Sequence, residues 1–528
     1  MKSPMRMAAP DARIVHLAAA GLKHVGPRRT LSSKLGTQES SSVLFYHVSA
    51  AETVVLALYC VSLAALCTYG GHRLMLLWLY RKYEKEQALS APLPDVLPFV
   101  TVQMPLYNER FVVEELVETV CGLDYPADRI EFQVLDDSTD DTTAIAASVV
   151  ARMAQKGHRI ELLHRDGREG YKAGALAAGL ERAQGELIAI FDADFRPAAD
   201  FLKELVGHFS VAQVGCVQAR WSFSNREKSM LTRAQAMFLD GHFVLEQGAR
   251  YRSGRMFNFN GTAGILRRTM IDDAGGWQGD TLTEDADLSY RAQLKGWRFV
   301  LRPDVEVLSE LPEDIASFQV QQARWAKGLM QTAIKLMPKI LRSQRPWPVK
   351  AEAWLHLTAN ASYLFMALLS VLVVPAVVIR YERLDWVWLL VDLPVLMATW
   401  VSLGVFYMRA EQELFGAAWR RSLDLIPAAM GAGIALTVSN LQAVLEALLG
   451  RRTPFERTAK YGATGRPARS GAPSGGWLAW VNLTGAAYFA AGMAYTAWVG
   501  AWASLPFLAL FVAGYYYAGR PALRDTPN

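Results

Sequence analysis

Apolar and polar positions divide the chain into a middle part that alternates and flanks that run apolar for long stretches. From residue 95 to 350, short apolar runs take turns with stretches of helical period. Phe99-Val100-Thr101-Val102-Gln103-Met104 reads as a strand, residues 109–121 as a helix, and Ile130 to Leu135 as a second strand ending in Asp136-Asp137-Ser138. Residues 141–156 read as a helix, Arg159 to Leu163 as a strand and Gly174 to Ala183 as a helix. Leu187 to Phe191 is a further strand, ending in Asp192-Ala193-Asp194. This alternation predicts an α/β fold with a mostly parallel, doubly wound sheet. Such sheets bind ligands beyond the carboxyl ends of their strands, where both aspartate clusters stand.

The flanks read differently. Val54 to Leu79 is long enough for one spanning helix and too short for two. Arg73, Arg81, Lys82 and Lys85 at its end favour a cytoplasmic exit. Further apolar stretches cover 353–379, 386–408, 426–449, 477–496 and 499–518, with Trp and Tyr near their ends. The loop 451–470 carries Arg451, Arg452, Arg457, Lys460, Arg466 and Arg469, so it belongs in the cytoplasm. Parity then requires one preceding stretch not to cross. That stretch is 426–449, which holds Ser439, Asn440, Gln442 and Glu446 and is predicted to be re-entrant or interfacial. The expected organisation is a poorly ordered basic tail (1–50), a transmembrane helix and linker (51–94) and a cytoplasmic catalytic domain (95–345). Transmembrane and interfacial helices (346–450), a cytoplasmic loop (451–474) and a C-terminal hairpin with its tail (475–528) follow.

Composition supports this division. The 528 residues are 52% hydrophobic and 20% charged, which excludes a disordered or fibrous chain. The net charge of +5 resides in residues 1–50, with seven Lys/Arg against two Asp/Glu; the rest is balanced. Residues 95–350 hold 31 basic and 35 acidic side chains, while 351–528 hold only 13 and 10. With no basic folded part, nucleic acid is not an expected partner. No apolar core with a cleavage site opens the chain, so no cleaved signal peptide is expected. Cys60, Cys67, Cys121 and Cys216 form no CxxC pair and read as buried thiols.

Four short motifs carry candidate chemistry. Asp192 and Asp194, after an apolar strand, have the spacing to hold a divalent metal on a diphosphate; a solvated turn is the plain alternative. Asp136 and Asp137 end the neighbouring strand, and the run to Asp141 also supplies helix N-caps. Thr283-Glu284-Asp285 precedes a helical stretch. Thr283 could cap it, and an acid there could serve as general base to an acceptor hydroxyl. Gln321-Gln322-Ala323-Arg324-Trp325 lies on an amphipathic segment, where Trp and Arg suit either an interfacial anchor or a sugar and a phosphate.

Together and in this order, the paired Asp, DxD, TED and QxxRW motifs resemble the processive, membrane-embedded family 2 glycosyltransferases, such as cellulose and hyaluronan synthases. The stretches Met104-Pro105-Leu106-Tyr107-Asn108-Glu109, Gln133 to Asp140, Gly170 to Leu176 and Phe257-Asn258-Phe259-Asn260-Gly261-Thr262 resemble the plant cellulose-synthase-like mannan and glucomannan synthases and their bacterial relatives. Phe455, Thr458 and Lys460 are similar to the FxxTxK gating loop of cellulose synthase, with Ala459 where relatives have proline. The resemblance spans roughly residues 50–465.

The resemblance implies a GT-A type domain embedded in a transmembrane helical bundle, in the inner or plasma membrane, with the catalytic domain in the cytoplasm. It implies that Asp136 and Asp137 contact the nucleoside and that Asp192 and Asp194 hold Mg²⁺ or Mn²⁺. Lys172, Gln321 and Arg324 would face the nucleotide-sugar diphosphate. Asp285, beside Glu284, would deprotonate the acceptor, which rests on Trp325 and Thr283. The donor would be UDP-glucose or GDP-mannose and the chemistry inverting transfer of a hexose. The acceptor would be a growing β-linked polysaccharide with coupled export, with or without a partner subunit for export. The alternatives are one transfer to a lipid such as ceramide or diacylglycerol, or a degenerate domain in a transport or receptor protein.

Overall fold

The computed structural model describes residues 49–86, 91–383, 389–451 and 476–524. The basic tail and the loop holding Phe455, Thr458 and Lys460 lie outside the described residues.

Eight strands form one sheet in the order β3-β2-β1-β4-β7-β6-β8-β5. They are β1 (Val100–Leu106), β2 (Ile130–Asp136), β3 (Ile160–His164), β4 (Leu187–Ile190), β5 (Arg196–Pro197), β6 (Val214–Phe223), β7 (Gly264–Arg267) and β8 (Arg298–Ser309). The half from β3 to β4 is parallel throughout, as the strand–helix alternation predicts. The other half is mixed: β7 runs antiparallel to β4 and β6, and β8 is parallel to β6. The sheet is therefore GT-A-like rather than uniformly doubly wound.

Strand β2 is buried along its whole length, as a central parallel strand covered on both faces must be. Its polar members are matched in register. Gln103 donates to Gln133 at 3.0 Å and Gln133 to Glu161 at 3.1 Å, so a polar row crosses β1, β2 and β3. Gly179 lies against that row; a Cβ there would sit 2.6 Å from Gln103 Nε2. The glycine lets the Tyr171–Arg182 helix approach the sheet closely enough to place its first turn at the strand ends.

Helix Ala50–Lys82 is capped by Ser49 and Glu52, which exchange hydrogen bonds with each other's backbone. Among the described residues, it and the segment Ala359–Arg380 are long and apolar enough to cross a membrane. The stretch predicted to be re-entrant is two helices, Leu425–Ala435 and Thr437–Leu448, bent by 44°. Helices also occupy Leu389–Phe415, Gly476–Val499 and Leu505–Gly519.

Buried ion pairs join these helices to the sheet domain. Arg226, just beyond β6, bonds Asp240 and also Glu411 of the Leu389–Phe415 helix, the latter at 2.8 Å. Arg250 donates to Glu352 at 2.9 Å, and His72 of the first helix lies 2.9 Å from the same carboxylate. Lys327 pairs with Glu446 at 2.8 Å, which holds the long helix Ile315–Arg342 against Thr437–Leu448.

Candidate active site

The parallel strands deliver their carboxyl ends to one crevice, which has two connected lobes of about 130 Å³ each. Lys172, Asp192, Asp194, Gln321 and Arg324 line both lobes. Glu284, Asp285, Thr283 and Trp325 line the first, and Asp137 the second.

The two aspartates after β2 differ. Asp136 is fully buried. Its oxygens accept from Ser138 N at 3.0 Å and Thr143 Oγ1 at 2.6 Å, with His164 Nδ1 at 2.8 Å. Burial pushes its carboxyl up, but these bonds win and the pKa lies below the ordinary aspartate value. Asp136, expected to contact the nucleoside, lines neither lobe, and three of its acceptor positions hold the loop. Asp137 does face the second lobe, gripped by Arg165 at 2.7 and 2.6 Å. The same guanidinium donates to the Tyr171 carbonyl at 3.1 Å. Arg165 thus fastens the end of β2 to the turn that starts the next helix. That turn needs left-handed backbone at Gly170 (φ 71°), and it presents Lys172 one residue into the helix.

Lys172 Nζ donates to Asp192 Oδ1 at 2.5 Å and to the Gly261 carbonyl at 2.9 Å. Burial opposes its charge, yet Asp192 and Glu284 outweigh it and raise its pKa. Asp192 is anchored through its backbone to Thr262 Oγ1 at 2.9 Å. Asp194 Oδ2 accepts from Ser309 Oγ at 2.7 Å, which ties the DxD turn to the end of β8.

Glu284 and Asp285 open the helix Glu284–Leu294. Thr283 occupies the N-cap position but makes no capping bond; its hydroxyl lies 3.2 Å from Thr332 instead. The capping role expected of Thr283 is therefore absent, because the crossing helix Ile315–Arg342 comes too close. A Cβ on Gly328 would stand 2.5 Å from the Thr283 methyl. This glycine lets the helix bearing Gln321, Arg324 and Trp325 reach the TED turn. Burial and the adjacent Glu284 push the Asp285 carboxyl up to about 7, against the opposing pull of the Ala286 amide and Lys172. An acid so placed can exchange a proton near neutral pH. Burial lowers the pKa of Arg324, against the pull of Asp192 and Glu284; guanidinium remains charged at neutral pH.

Six further residues shape the crevice. The Arg168 guanidinium stacks on the Tyr107 ring at 3.2 Å, and both line the second lobe. Trp221 lies 6.5 Å from Trp325 and 5.1 Å from Phe195, making an aromatic wall in the first lobe. Asn260 and Gly261 complete it. Tyr107, Asn260 and Gly261 fall in stretches that carry the family resemblance; Arg168 and Trp221 belong to no local motif. Arg168 arrives through the turn before Lys172, and Trp221 through the parallel pairing of β6 with β8.

Sheet order and crevice together define a GT-A-like glycosyltransferase fold. Residues 98–328 match the family described as Glycosyltransferase like family 2. The chain is 42% identical over 268 residues to glucomannan 4-beta-mannosyltransferase 1 of Oryza sativa subsp. japonica, covering 48% of this chain and 51% of that protein. It is 39% identical over 320 residues to glucomannan 4-beta-mannosyltransferase 2 of Arabidopsis thaliana, covering 58% and 59%. The matched region thus spans about half to three fifths of the curated relatives' length. In fold the chain is similar to a mannosyltransferase, PcManGT from Pyrobaculum calidifontis, solved in complex with GDP-Man and Mn2+. There the TM-score is 0.51 at 23% identity, over 75% of this chain and all of that one.

Proposed function

We propose that this protein is a membrane-bound mannosyltransferase that extends a β-linked polysaccharide from a nucleotide sugar, with inversion. The observation that carries the reading is the convergence of Lys172, Asp192, Asp285, Arg324 and Trp325 on one crevice. The mannosyltransferase relatives support mannose as the sugar. Of the two donors considered, GDP-mannose is the mannosyl one.

Asp285 takes the proton from the acceptor hydroxyl, which attacks the anomeric carbon as the diphosphate leaves. Its raised pKa suits a base working near neutral pH. Lys172 and Arg324 meet the negative charge that develops on the leaving group, a preorganised electrostatic role. Trp325, backed by Trp221, offers its ring to the terminal sugar of the acceptor. Asp137, Tyr107 and Arg168 form the nucleoside end of the crevice.

Asp192 and Asp194 fit a hard divalent cation, Mg²⁺ or Mn²⁺. Both line both lobes. Two carboxylates are the donor set with which Mg²⁺ is held beside substrate phosphates rather than in an all-protein cage. When bound, the cation supplies charge neutralisation on the diphosphate.

The catalytic domain is assigned to the cytoplasm, on the basic side of the first helix at Arg81 and Lys82. A cavity of about 440 Å³ among the helices supports exit of the product through this chain. Labelled GDP-mannose and UDP-glucose, supplied separately to membranes containing the full chain, test the proposal. Mannose label in an alkali-insoluble β-linked polymer, absent in Asp285→Asn, is the expected result. Label in an organic-soluble lipid, or transfer from UDP-glucose alone, overturns it.

A further inference from the structure

The crevice has a polar wall that the transfer chemistry above does not use. Helix Met230–Asp240 runs into a π-helical turn, Gly241–Gln247. Turns of this kind re-aim the side chains they carry and recur at functional sites. Gly241 makes room for it: a Cβ there would lie 2.7 Å from the Tyr407 ring.

The turn places His242 and Glu246 between two spaces. Asn260, which lines the catalytic crevice, has its Nδ2 2.8 Å from His242 Nε2. His242 Nδ1 lies 3.1 Å from Glu246 Oε2. His242 and Glu246 line the 440 Å³ cavity among the helices. A hydrogen-bonded row, Asn260–His242–Glu246, therefore joins the crevice to the cavity.

Its polarity is set by its neighbours. Gln247 Nε2 donates to Asn260 Oδ1 at 2.9 Å, so the other Asn260 atom is the donor and His242 Nε2 the acceptor. His242 Nδ1 then carries the proton and donates to Glu246. Burial pushes the Glu246 carboxyl up, but His242 and Arg250 outweigh it and keep it well below the usual range. Arg250 Nη1 stands 3.7 Å from Glu246 Oε2, while its Nε is engaged by Glu352. The Glu246 side chain keeps a quarter of its surface, open to the cavity. The rings of Tyr69, Tyr363 and Tyr407 line the same cavity.

An ionised carboxylate in a cavity lined by aromatic rings suits a chain of hexoses: an oxygen acceptor for hydroxyl groups, rings for their C–H faces. We infer that Glu246, oriented by His242, forms an acceptor subsite at the cavity, where its carboxylate holds a hydroxyl group of the sugar unit behind the terminal one. This rests on the reading that the acceptor is a saccharide. They are positioning residues, acting on a unit that does not react.

The test is acceptor length. Full chain in lipid nanodiscs is given labelled GDP-mannose and β-1,4-linked manno-oligosaccharides of one to four units. Loss of a hydrogen bond to a charged group predicts that E246Q raises KM for the two- to four-unit acceptors about tenfold or more. KM for the single sugar and the affinity for GDP stay as in the unmodified chain, and E246D recovers part of the loss. If E246Q no longer binds GDP, H242Q is judged by the same comparison. An equal shift for one- and four-unit acceptors, or none at all, overturns the subsite while leaving the transferase reading standing. If the unmodified chain extends no oligosaccharide, both fall.

Discussion

Lys172 Nζ stands 2.5 Å from Asp192 Oδ1, and its other partner is the Gly261 carbonyl at 2.9 Å. One ammonium therefore joins the DxD turn to the loop that precedes β7. It also lies close enough to Glu284 and Asp285 for each to raise its pKa.

Replacing Lys172 by Met removes the charge proposed to meet the leaving group, which also neighbours three carboxylates. The expected loss in kcat/KM is about 100-fold or more, the range for deleting one preorganised electrostatic contact. Because the ammonium also lowers the Asp285 pKa, the residual activity of the variant should need higher pH than the unmodified protein. A pH–rate profile of both checks this; an unchanged profile would show that Lys172 does not act on Asp285.

The pH dependence of the unmodified protein follows from the same carboxyl. A base works only when ionised, and burial with Glu284 pushes Asp285 up to about 7. Activity, as kcat/KM, should therefore rise with pH across the neutral range and fall as Asp285 takes up its proton below it. D285N should abolish transfer yet bind nucleotide, measured by titration with GDP.

Gly261 has φ 83°, and a Cβ on it would lie 3.0 Å from Asp285 Oδ2 and 3.4 Å from Lys172 Nζ. G261A should cost roughly 1–2 kcal/mol for left-handed backbone alone. Its larger effect should be on turnover, since the methyl crowds the carboxylate of Asp285, the proposed base. Steady-state kinetics alongside thermal unfolding separate the two effects. A variant that loses only stability would show that the contact is dispensable.

Glu352 is buried between Arg250 and His72, on three separate helices. E352A leaves the buried Arg250 guanidinium with only the longer Glu246 contact at 3.7 Å, so the cost should approach the roughly 3–5 kcal/mol of breaking a buried pair without reaching it in full. The melting temperature of the detergent-solubilised variant should drop clearly. A melting temperature equal to that of the unmodified protein would mean that the network contributes no stability.

Much of the fold follows from local pattern. The runs from Phe99 to Phe191 read as strands and helices because burial repeats at short, fixed intervals, and the structure places them within a few residues. The antiparallel course of β7 is not legible in this way, since Gly264–Arg267 is four residues long and direction leaves no trace in so short a run. The crevice divides along the same line. Asp192, Asp194, Glu284 and Asp285 stand where a strand ends or a helix begins, so their neighbours in sequence place them. Asp136 reads like Asp137 in the sequence, yet His164 and Thr143 claim its oxygens and turn it inward. Thr283 reads as a cap until Gly328 brings another helix against it.

The sequence by itself determined the strand–helix order, the apolar flanks and the positions of the acidic motifs, because each depends on residues adjacent in the chain. The tertiary structure decided which carboxylates face the crevice, that Trp221 stands beside Trp325, and that a π turn carries His242 to Asn260. Those pairings join residues up to 104 positions apart, and they arise from how helices pack across a folded sheet, which no local period encodes.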